Sequence, residues 1–365
     1  MPSGMRRWYH AEVGRLCSLL HRWHNDRVAN PPVNIGWSVT VARDALRFFS
    51  VTRHEEVLKE IGQANPGHSE PFTAADFNTY LKGHGVPDAD TQPERTQRVL
   101  DVLAGCGLLR DQGFAGSHPV LRRRYWYTGG ITRLQAGGDL AFAEAFGPEL
   151  VVPAFGSITI CITRESDDDS PAIGSGLILD NRHVLTCAHV ARGSVSRLHV
   201  LRPAINPPVI YGPAPWRELS VVAAHVHEAV DVAVLEVEGD LMPLGGMAFR
   251  EPAWTDRVTI YGFPRIPFTR ETALVVQSGE VVNPSVTTLE GNSLFVFSAV
   301  ARPGNSGGPI VGSDGRVLGI VTDSLEHQDG PSSPFFAGVP TQVVANAMTD
   351  LGLRDLLPLE DWMTR

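Results

Sequence analysis

Three stretches in the second half of the chain carry residue types that could do nucleophilic chemistry together. The first is Gly174-Ser175-Gly176-Leu177-Ile178-Leu179, followed by Val184-Leu185-Thr186-Cys187-Ala188-His189-Val190. The second is Val230-Asp231-Val232-Ala233-Val234-Leu235, and the third is Arg302-Pro303-Gly304-Asn305-Ser306-Gly307-Gly308-Pro309. A serine hydroxyl is unreactive at neutral pH unless a base removes its proton. His189 can supply that base, and a carboxylate such as Asp231 can fix its tautomer and stabilise the imidazolium. Glycines around Ser306 allow a tight turn, and the backbone N–H groups of Gly304 and Ser306, one residue apart, can donate to a single developing oxyanion.

Other readings of these residue types are weaker. Cys187, two residues before His189, could be a nucleophile, but a small buried residue at a strand end is the simpler expectation. His225, His227 and Asp231 could chelate a metal, since His-x-His shares one strand face, yet a loop-surface role is favoured and no metal or cofactor is expected. His183 lies near in sequence but outside the Ala-His pattern, and Asp167-Asp168-Asp169 reads as a solvated loop. Gly304-Asn305-Ser306-Gly307-Gly308 also contains G-x-S-x-G, the turn of α/β-hydrolases. That fold needs the order Ser, Asp, His, whereas only His327 follows Ser306 and 59 residues remain.

The order His, Asp, Ser within T-C-A-H-V, D-V-A-V-L and G-N-S-G-G-P closely resembles the trypsin/chymotrypsin clan of serine proteases, and within it the bacterial HtrA-like branch. Tyr261-Gly262-Phe263-Pro264, Ser278-Gly279-Glu280-Val281, Gly319-Ile320-Val321-Thr322 and Gly338-Val339-Pro340-Thr341 strengthen that resemblance, which covers residues 153–348. It implies that His189 is the general base, Asp231 its orienter and Ser306 the nucleophile. It also implies that the N–H groups of Gly304 and Ser306 form the oxyanion hole, and that the fold is a double β-barrel.

Departures from the family pattern are informative. Zymogen-activated members carry an aspartate before the serine, paired with a newly cut N-terminal amine; here Asn305 stands there, so activation of that kind is not expected. The chain after Gly338–Val344 is too short for a PDZ domain, which leaves regulation to the first 150 residues or to a partner. The resemblance places Val300 at the floor of the substrate pocket, with Thr322, Asp323, Ser324 and Gly338 as its walls. An apolar floor implies cleavage after small or medium apolar side chains.

The rest of the sequence has to position these groups. With 365 residues, 43% hydrophobic and 19% charged, it has ordinary globular composition and enough length for two domains. Residues 1–150 hold 17 Lys and Arg against 16 Asp and Glu, and the remainder 14 against 24; neither half is basic enough to imply nucleic acid on charge alone. Nearly all the basic residues are arginine, which points to a GC-rich, bacterial-type genome. Four cysteines without CxxC spacing give no disulfide framework. No apolar run reaches membrane-spanning length, and the N-terminus lacks the pattern of a signal peptide, so a cytoplasmic location is expected.

Helical spacing occurs over residues 5–24, 39–49 and 55–61, then over 72–81 with Thr73 as N-cap, and over 92–109. Arg122–Thr128 reads as a strand. Helices followed by a strand pair resemble a winged-helix domain. From Val151 onward short Val/Ile/Leu runs bounded by Gly, Pro, Asn and Asp read as strands. These are Ser157–Thr163, Gly176–Leu179, Val230–Val237, Val258–Tyr261, Leu294–Phe297 and Val317–Val321.

The expected architecture is therefore α+β overall. An N-terminal helical segment (1–50) precedes a winged-helix-like domain (51–135), a linker (136–152), an all-β double-barrel trypsin-like domain (153–350) and a C-terminal tail (351–365). The expected function is an intracellular serine endopeptidase acting on a protein or peptide, with residues 1–150 contacting a regulatory partner or ligand, as in a stress or defence effector. Two alternatives stand beside it. One is a nucleic-acid-binding regulator using Arg122, Arg123 and Arg124. The other is an interaction scaffold with a closed, inactive barrel.

Overall fold

The computed structural model describes residues 35–359, apart from 65–66, 68, 90, 116–120, 165–171, 193–196, 202–215, 270–271, 323–324 and 326–334. The helix expected over 5–24 lies outside the described residues. The chain divides into two compact units, Met1–Thr128 and Gly129–Arg365.

In the first unit, helix α1 (Ile35–Phe48) and the short α2 (His54–Glu60) precede strand β1 (Phe72–Thr73). Helices α3 (Ala74–Gly83) and α4 (Pro93–Gly105) follow, then strands β2 (Arg110–Phe114) and β3 (Arg123–Trp126). The strands form an antiparallel sheet of order β1-β3-β2. Thr73 caps α3 in a reciprocal pair: its hydroxyl accepts from the Asp76 N–H at 3.2 Å, and the Asp76 carboxylate accepts from the Thr73 N–H at 2.9 Å. The helix expected over 92–109 stops at Gly105, because Cys106-Gly107 turns the chain, with Gly107 at φ 81°. Phe48 packs its ring 4.8 Å from Phe72 and 5.2 Å from Phe77, and Phe49 lies 5.4 Å from Tyr125. The boundary expected at residue 50 therefore does not hold, since α1 supplies core to the unit that follows it.

The second unit begins at Gly129 and takes in the whole of the expected linker. Residues 136–152 are not a linker: they turn into helices α5 (Ala143–Phe146) and α6 (Pro148–Ile158). Leu140, Ala143, Val151 and Phe155 are buried in one core with Ile160, Leu177 and Leu235. The Tyr261 hydroxyl donates to the Val151 carbonyl at 3.3 Å. Short apolar spacing interrupted by Gly137, Gly138, Gly147 and Pro148 disguised these turns as a connection.

Strands β4 (Thr159–Arg164), β5 (Ala172–Ile178) and β6 (His183–Thr186) lead into a single helical turn, α7 (Ala188–Ala191). Then come β7 (Arg197–Leu201), β8 (Trp216–Leu219), β9 (Val221–Val226) and β10 (Ala233–Val237). These seven strands form one sheet of order β8-β7-β4-β5-β6-β10-β9. Its two edge strands, β8 and β9, are joined by Ser220 alone, so the sheet must roll until its edges meet at that residue.

The next six strands are β11 (Arg257–Gly262), β12 (Val275–Thr287), β13 (Ser293–Phe297), β14 (Pro309–Gly312), β15 (Val317–Val321) and β16 (Phe336–Pro340). They close into a barrel of order β11-β12-β13-β16-β15-β14 around Ile260, Phe295, Ile310 and Leu318. Helix α8 (Thr341–Asp350) buries Val344 and Met348 against the unit. The described part of the expected tail belongs to the fold as well: Leu357 is buried, and the Phe249 N–H donates to the Pro358 carbonyl at 2.9 Å. Among the described residues no helix is long and apolar enough to cross a membrane.

If residues 148–158 are core, Phe155→Ala lowers the unfolding free energy by about 3–5 kcal/mol. Urea unfolding measures this, and a loss below about 1 kcal/mol would mark the segment as a loose connection after all.

Candidate active site

His189 sits on α7, the single turn that follows β6, with Cys187 as its N-cap. Asp231 lies in the β9–β10 connection, where the Val232 N–H donates to the Val230 carbonyl at 2.7 Å and turns the chain sharply at Asp231. His227 builds that connection, because its Nδ1 accepts from the N–H groups of Ala229 at 3.2 Å and Val230 at 2.9 Å. Asp231 then accepts from the His189 N–H at 3.0 Å and from His189 Nδ1 at 2.9 Å and 3.0 Å.

A third donor completes the carboxylate. Thr322 Oγ1 donates to Asp231 Oδ2 at 2.6 Å. Burial works against the charge on Asp231, but the hydrogen bonds from His189 and Thr322 and the attraction of the imidazole outweigh it. They hold the carboxyl well below the ordinary carboxylate range. An ionised carboxylate can only accept, so His189 Nδ1 must carry the proton and Nε2 is left as a lone-pair base.

Ser306 lies in the β13–β14 connection. The Asn305 N–H donates to the Arg302 carbonyl at 2.9 Å, with Pro303 second and Gly304 third in the turn at φ 104°. That is a type II turn; a type I turn would put its third residue near φ −90° and flip the Pro303–Gly304 peptide. The Asn305 side-chain oxygen accepts from the Arg302 N–H at 3.1 Å and holds the same turn a second time. The N–H groups of Asn305, Gly307 and Gly308 donate to the carbonyls of Arg302, Val321 and Asn305. Those of Gly304 and Ser306 have no acceptor among the described residues. The Ser306 hydroxyl is likewise unpartnered there, and the residue is partly exposed.

The carbonyl of Val321 draws these pieces into one seam between rolled sheet and barrel. It accepts from the Gly307 N–H at 2.7 Å and from the Cys187 thiol at 3.1 Å. Ser175, on β5, donates its N–H to the Ser306 carbonyl at 2.8 Å. Neither Thr322 on Asp231 nor Ser175 on the Ser306 loop was assigned these contacts from sequence, although both stand in the motifs quoted above.

Several expected residues are placed differently. Cys187 is fully buried, with its thiol on Val321. It comes within 4.8 Å of the ligand atoms of His189 and Asp231, but the carboxylate of that group already takes three donors. His227 Nε2 lies 3.3 Å from Asp350, and His225 is on β9 opposite Val234; neither histidine joins Asp231. Val300, the expected pocket floor, is 41% exposed. A Cβ on Gly338 would lie 2.7 Å from the Phe295 ring, pointing into the barrel core rather than a cleft. The Thr322 hydroxyl faces Asp231, and Asp323 and Ser324 lie outside the described residues.

Residues 174–320 match the family model of the trypsin-like peptidase domain. Those residues all lie in the second unit, which over that stretch is similar to a trypsin-like peptidase domain. The "Uncharacterized protein y4bJ" of Sinorhizobium fredii is 30% identical over 158 residues, covering 42% of this chain and 22% of its own. The "Probable periplasmic serine endoprotease DegP-like" of Halomonas elongata is 27% identical over 215 residues, covering 58% and 40%. The chain thus spans less than half the length of either curated relative. Among solved structures, the active form of the Rv3671c protease from M. tuberculosis is 21% identical, covering 65% of this chain and 95% of its own, with a TM-score of 0.43. The serine endoprotease from Yersinia pestis is 22% identical, covering 56% and 67%, with a TM-score of 0.41.

The lowered pKa of Asp231 in the folded second unit means that its stabilising effect is complete above the unfolded value, about 3.9. The effect is lost as pH falls through the depressed native value. Asp231→Asn is therefore less stable than wild type at pH 7, and the gap narrows as pH falls below about 4. Denaturation across that range measures it; a gap independent of pH would mean the carboxyl is not ionised in the fold.

Proposed function

We propose that the peptidase domain is a serine endopeptidase in which Ser306 is the nucleophile, His189 the general base and Asp231 its orienter. The observation that carries this reading is the type II turn at Arg302–Asn305, with the N–H groups of Gly304 and Ser306 left without acceptors. A collapsed, scaffold-like site would use those donors internally. In this reading His189 Nε2 takes the proton of Ser306 Oγ as the oxygen attacks a peptide carbonyl, and the two N–H groups receive the oxyanion. His189 returns the proton to the leaving amine as the C–N bond breaks. Water then repeats the cycle on the acyl-enzyme. The Ser306 hydroxyl needs to meet Nε2 only once substrate is bound, where such contacts tighten.

The first unit fits a winged-helix-like module that contacts a regulatory protein. Support comes from the order helix, strand, helix, helix, strand pair and from the β1-β3-β2 sheet. A protein partner is favoured over nucleic acid because Arg123, the middle of the three arginines, is held by Asp101 at 3.0 Å and Asp111 at 3.1 Å. Those carboxylates would face phosphate. A reducing, intracellular compartment is in keeping with Cys106, Cys161 and Cys187 forming no disulfide among the described residues. A stress or defence role remains part of the proposal.

Labelling with a fluorophosphonate probe tests the reading. Wild type labels, and Ser306→Ala does not. On a peptide substrate Ser306→Ala lowers kcat about 10⁶-fold and Asp231→Asn about 10⁴-fold. Folded wild-type protein that neither labels nor cleaves would favour the scaffold. For the first unit, retention on duplex DNA is expected to be weak and unchanged when Arg122, Arg123 and Arg124 are replaced; steeply salt-dependent retention lost in that variant would reverse the preference.

A further inference from the structure

We propose that Ser175, the middle residue of Gly174-Ser175-Gly176, is a positioning residue that holds the Gly304 and Ser306 N–H groups in their receiving orientation. The inference rests on the reading of those groups as an oxyanion hole. Ser175 is fully buried, and its hydroxyl has both of its roles filled. It accepts from the Phe263 N–H at 2.9 Å and donates to the Gly304 carbonyl at 2.6 Å. Its own N–H donates to the Ser306 carbonyl at 2.8 Å, and its carbonyl accepts from Thr186 Oγ1 at 2.7 Å. One residue of β5 therefore grips the carbonyls of Gly304 and Ser306, the two residues whose N–H groups are unpartnered.

The geometry explains why these carbonyls matter. The peptide that follows Gly304 is fixed at both ends, its carbonyl by Ser175 and its N–H by Arg302. The peptide that follows Ser306 is fixed in the same way by Ser175 and Val321. With these two peptides anchored, the Cα atoms of Gly304 and Ser306 are held in place on either side of Asn305, so their two N–H groups keep a fixed spacing. The Arg302–Asn305 bond alone does not do this, because it is common to type I and type II turns.

The site is closely fitted around this contact. A Cβ on Gly262 would lie 2.9 Å from Ser175 Oγ and 2.9 Å from Asn305 Cα, and a Cβ on Gly176 would lie 2.6 Å from Val184. A side chain that only filled space would leave the Phe263 N–H and the Gly304 carbonyl buried without partners. A group that both donates and accepts is required, which a hydroxyl provides.

The test compares wild type, Ser175→Ala and Ser175→Thr, which retains the hydroxyl. On a peptide ester, Ser175→Ala is expected to lower kcat about 10²-fold with KM within about twofold, and Ser175→Thr to recover most of the loss. Affinity for a peptide aldehyde, whose tetrahedral adduct places an oxyanion in the site, should fall by the same factor, while affinity for the product peptide is unchanged. Crystal structures of wild type and Ser175→Ala give a second readout that needs no turnover. The backbone of Gly304 and Ser306 is expected in place in wild type and displaced, with Gly304 free to leave its φ near +100°, in the variant.

An unchanged kcat and an unchanged turn in Ser175→Ala would overturn the inference. So would parallel losses of kcat, product affinity and stability with Gly304 in place, since that is what a merely structural tie predicts. Should wild type itself show no turnover, the endopeptidase reading fails, and the turn in the two crystal structures still decides the role of Ser175. Should Ser175→Ala not fold, Ser175→Cys, which keeps a weaker donor of similar size, is read in the same way with a smaller effect.

Discussion

One backbone carbonyl, that of Val321, organises the seam. A carbonyl oxygen has two lone pairs, and here one receives the Gly307 N–H and the other the Cys187 thiol. The first donor follows the serine and the second precedes the histidine by two residues. The next residue along the strand, Thr322, reaches Asp231. Two consecutive residues of β15 and its exit thus tie together three loops that are far apart in sequence. Since Val321 is paired to Gly338 inside a closed barrel, the reference point for all three is as rigid as the barrel itself.

The turn before Ser306 is closed locally. Asn305 closes its turn twice, through its backbone N–H and its side-chain oxygen, both to Arg302. In the zymogen-activated proteases that the sequence resembles, an aspartate at that position depends on an amine from a cut chain end; here a neutral amide finds its partner three residues away. The Asp231 loop is built by similar local means, with His227 accepting from two successive N–H groups. Local hydrogen bonds close each loop, and contacts across the seam, such as Ser175 on the Gly304 and Ser306 carbonyls, fix the placement those bonds leave open.

Much of this was legible before any coordinates. His189, Asp231 and Ser306 stand in motifs whose residue types have few other uses in that order, and the strand runs fall on β4, β5, β10, β11, β13 and β15. Thr322 and Ser175 were visible as letters but not as contacts, because a hydroxyl says nothing of which distant backbone it meets. The setting of Gly338 was hidden for a related reason. Whether Gly338 faces a cleft or a core depends on strand register, and a change of one residue reverses it. Residues 136–152 were misjudged because glycine and proline dominate local patterning there. The burial of Leu140, Val151 and Phe155 depends on partners such as Tyr261, more than 100 residues away.

The single residue between β8 and β9 has a kinetic meaning. Those strands are neighbours along the chain yet lie at opposite edges of a seven-stranded sheet. A hairpin normally lets adjacent strands pair early and seed a sheet. At Ser220 that route is closed: β8 and β9 pair instead with β7 and β10, their other neighbours along the chain. Ser220 thus joins two local strand pairs into one sheet, and its edges meet only once the strands between them are in register.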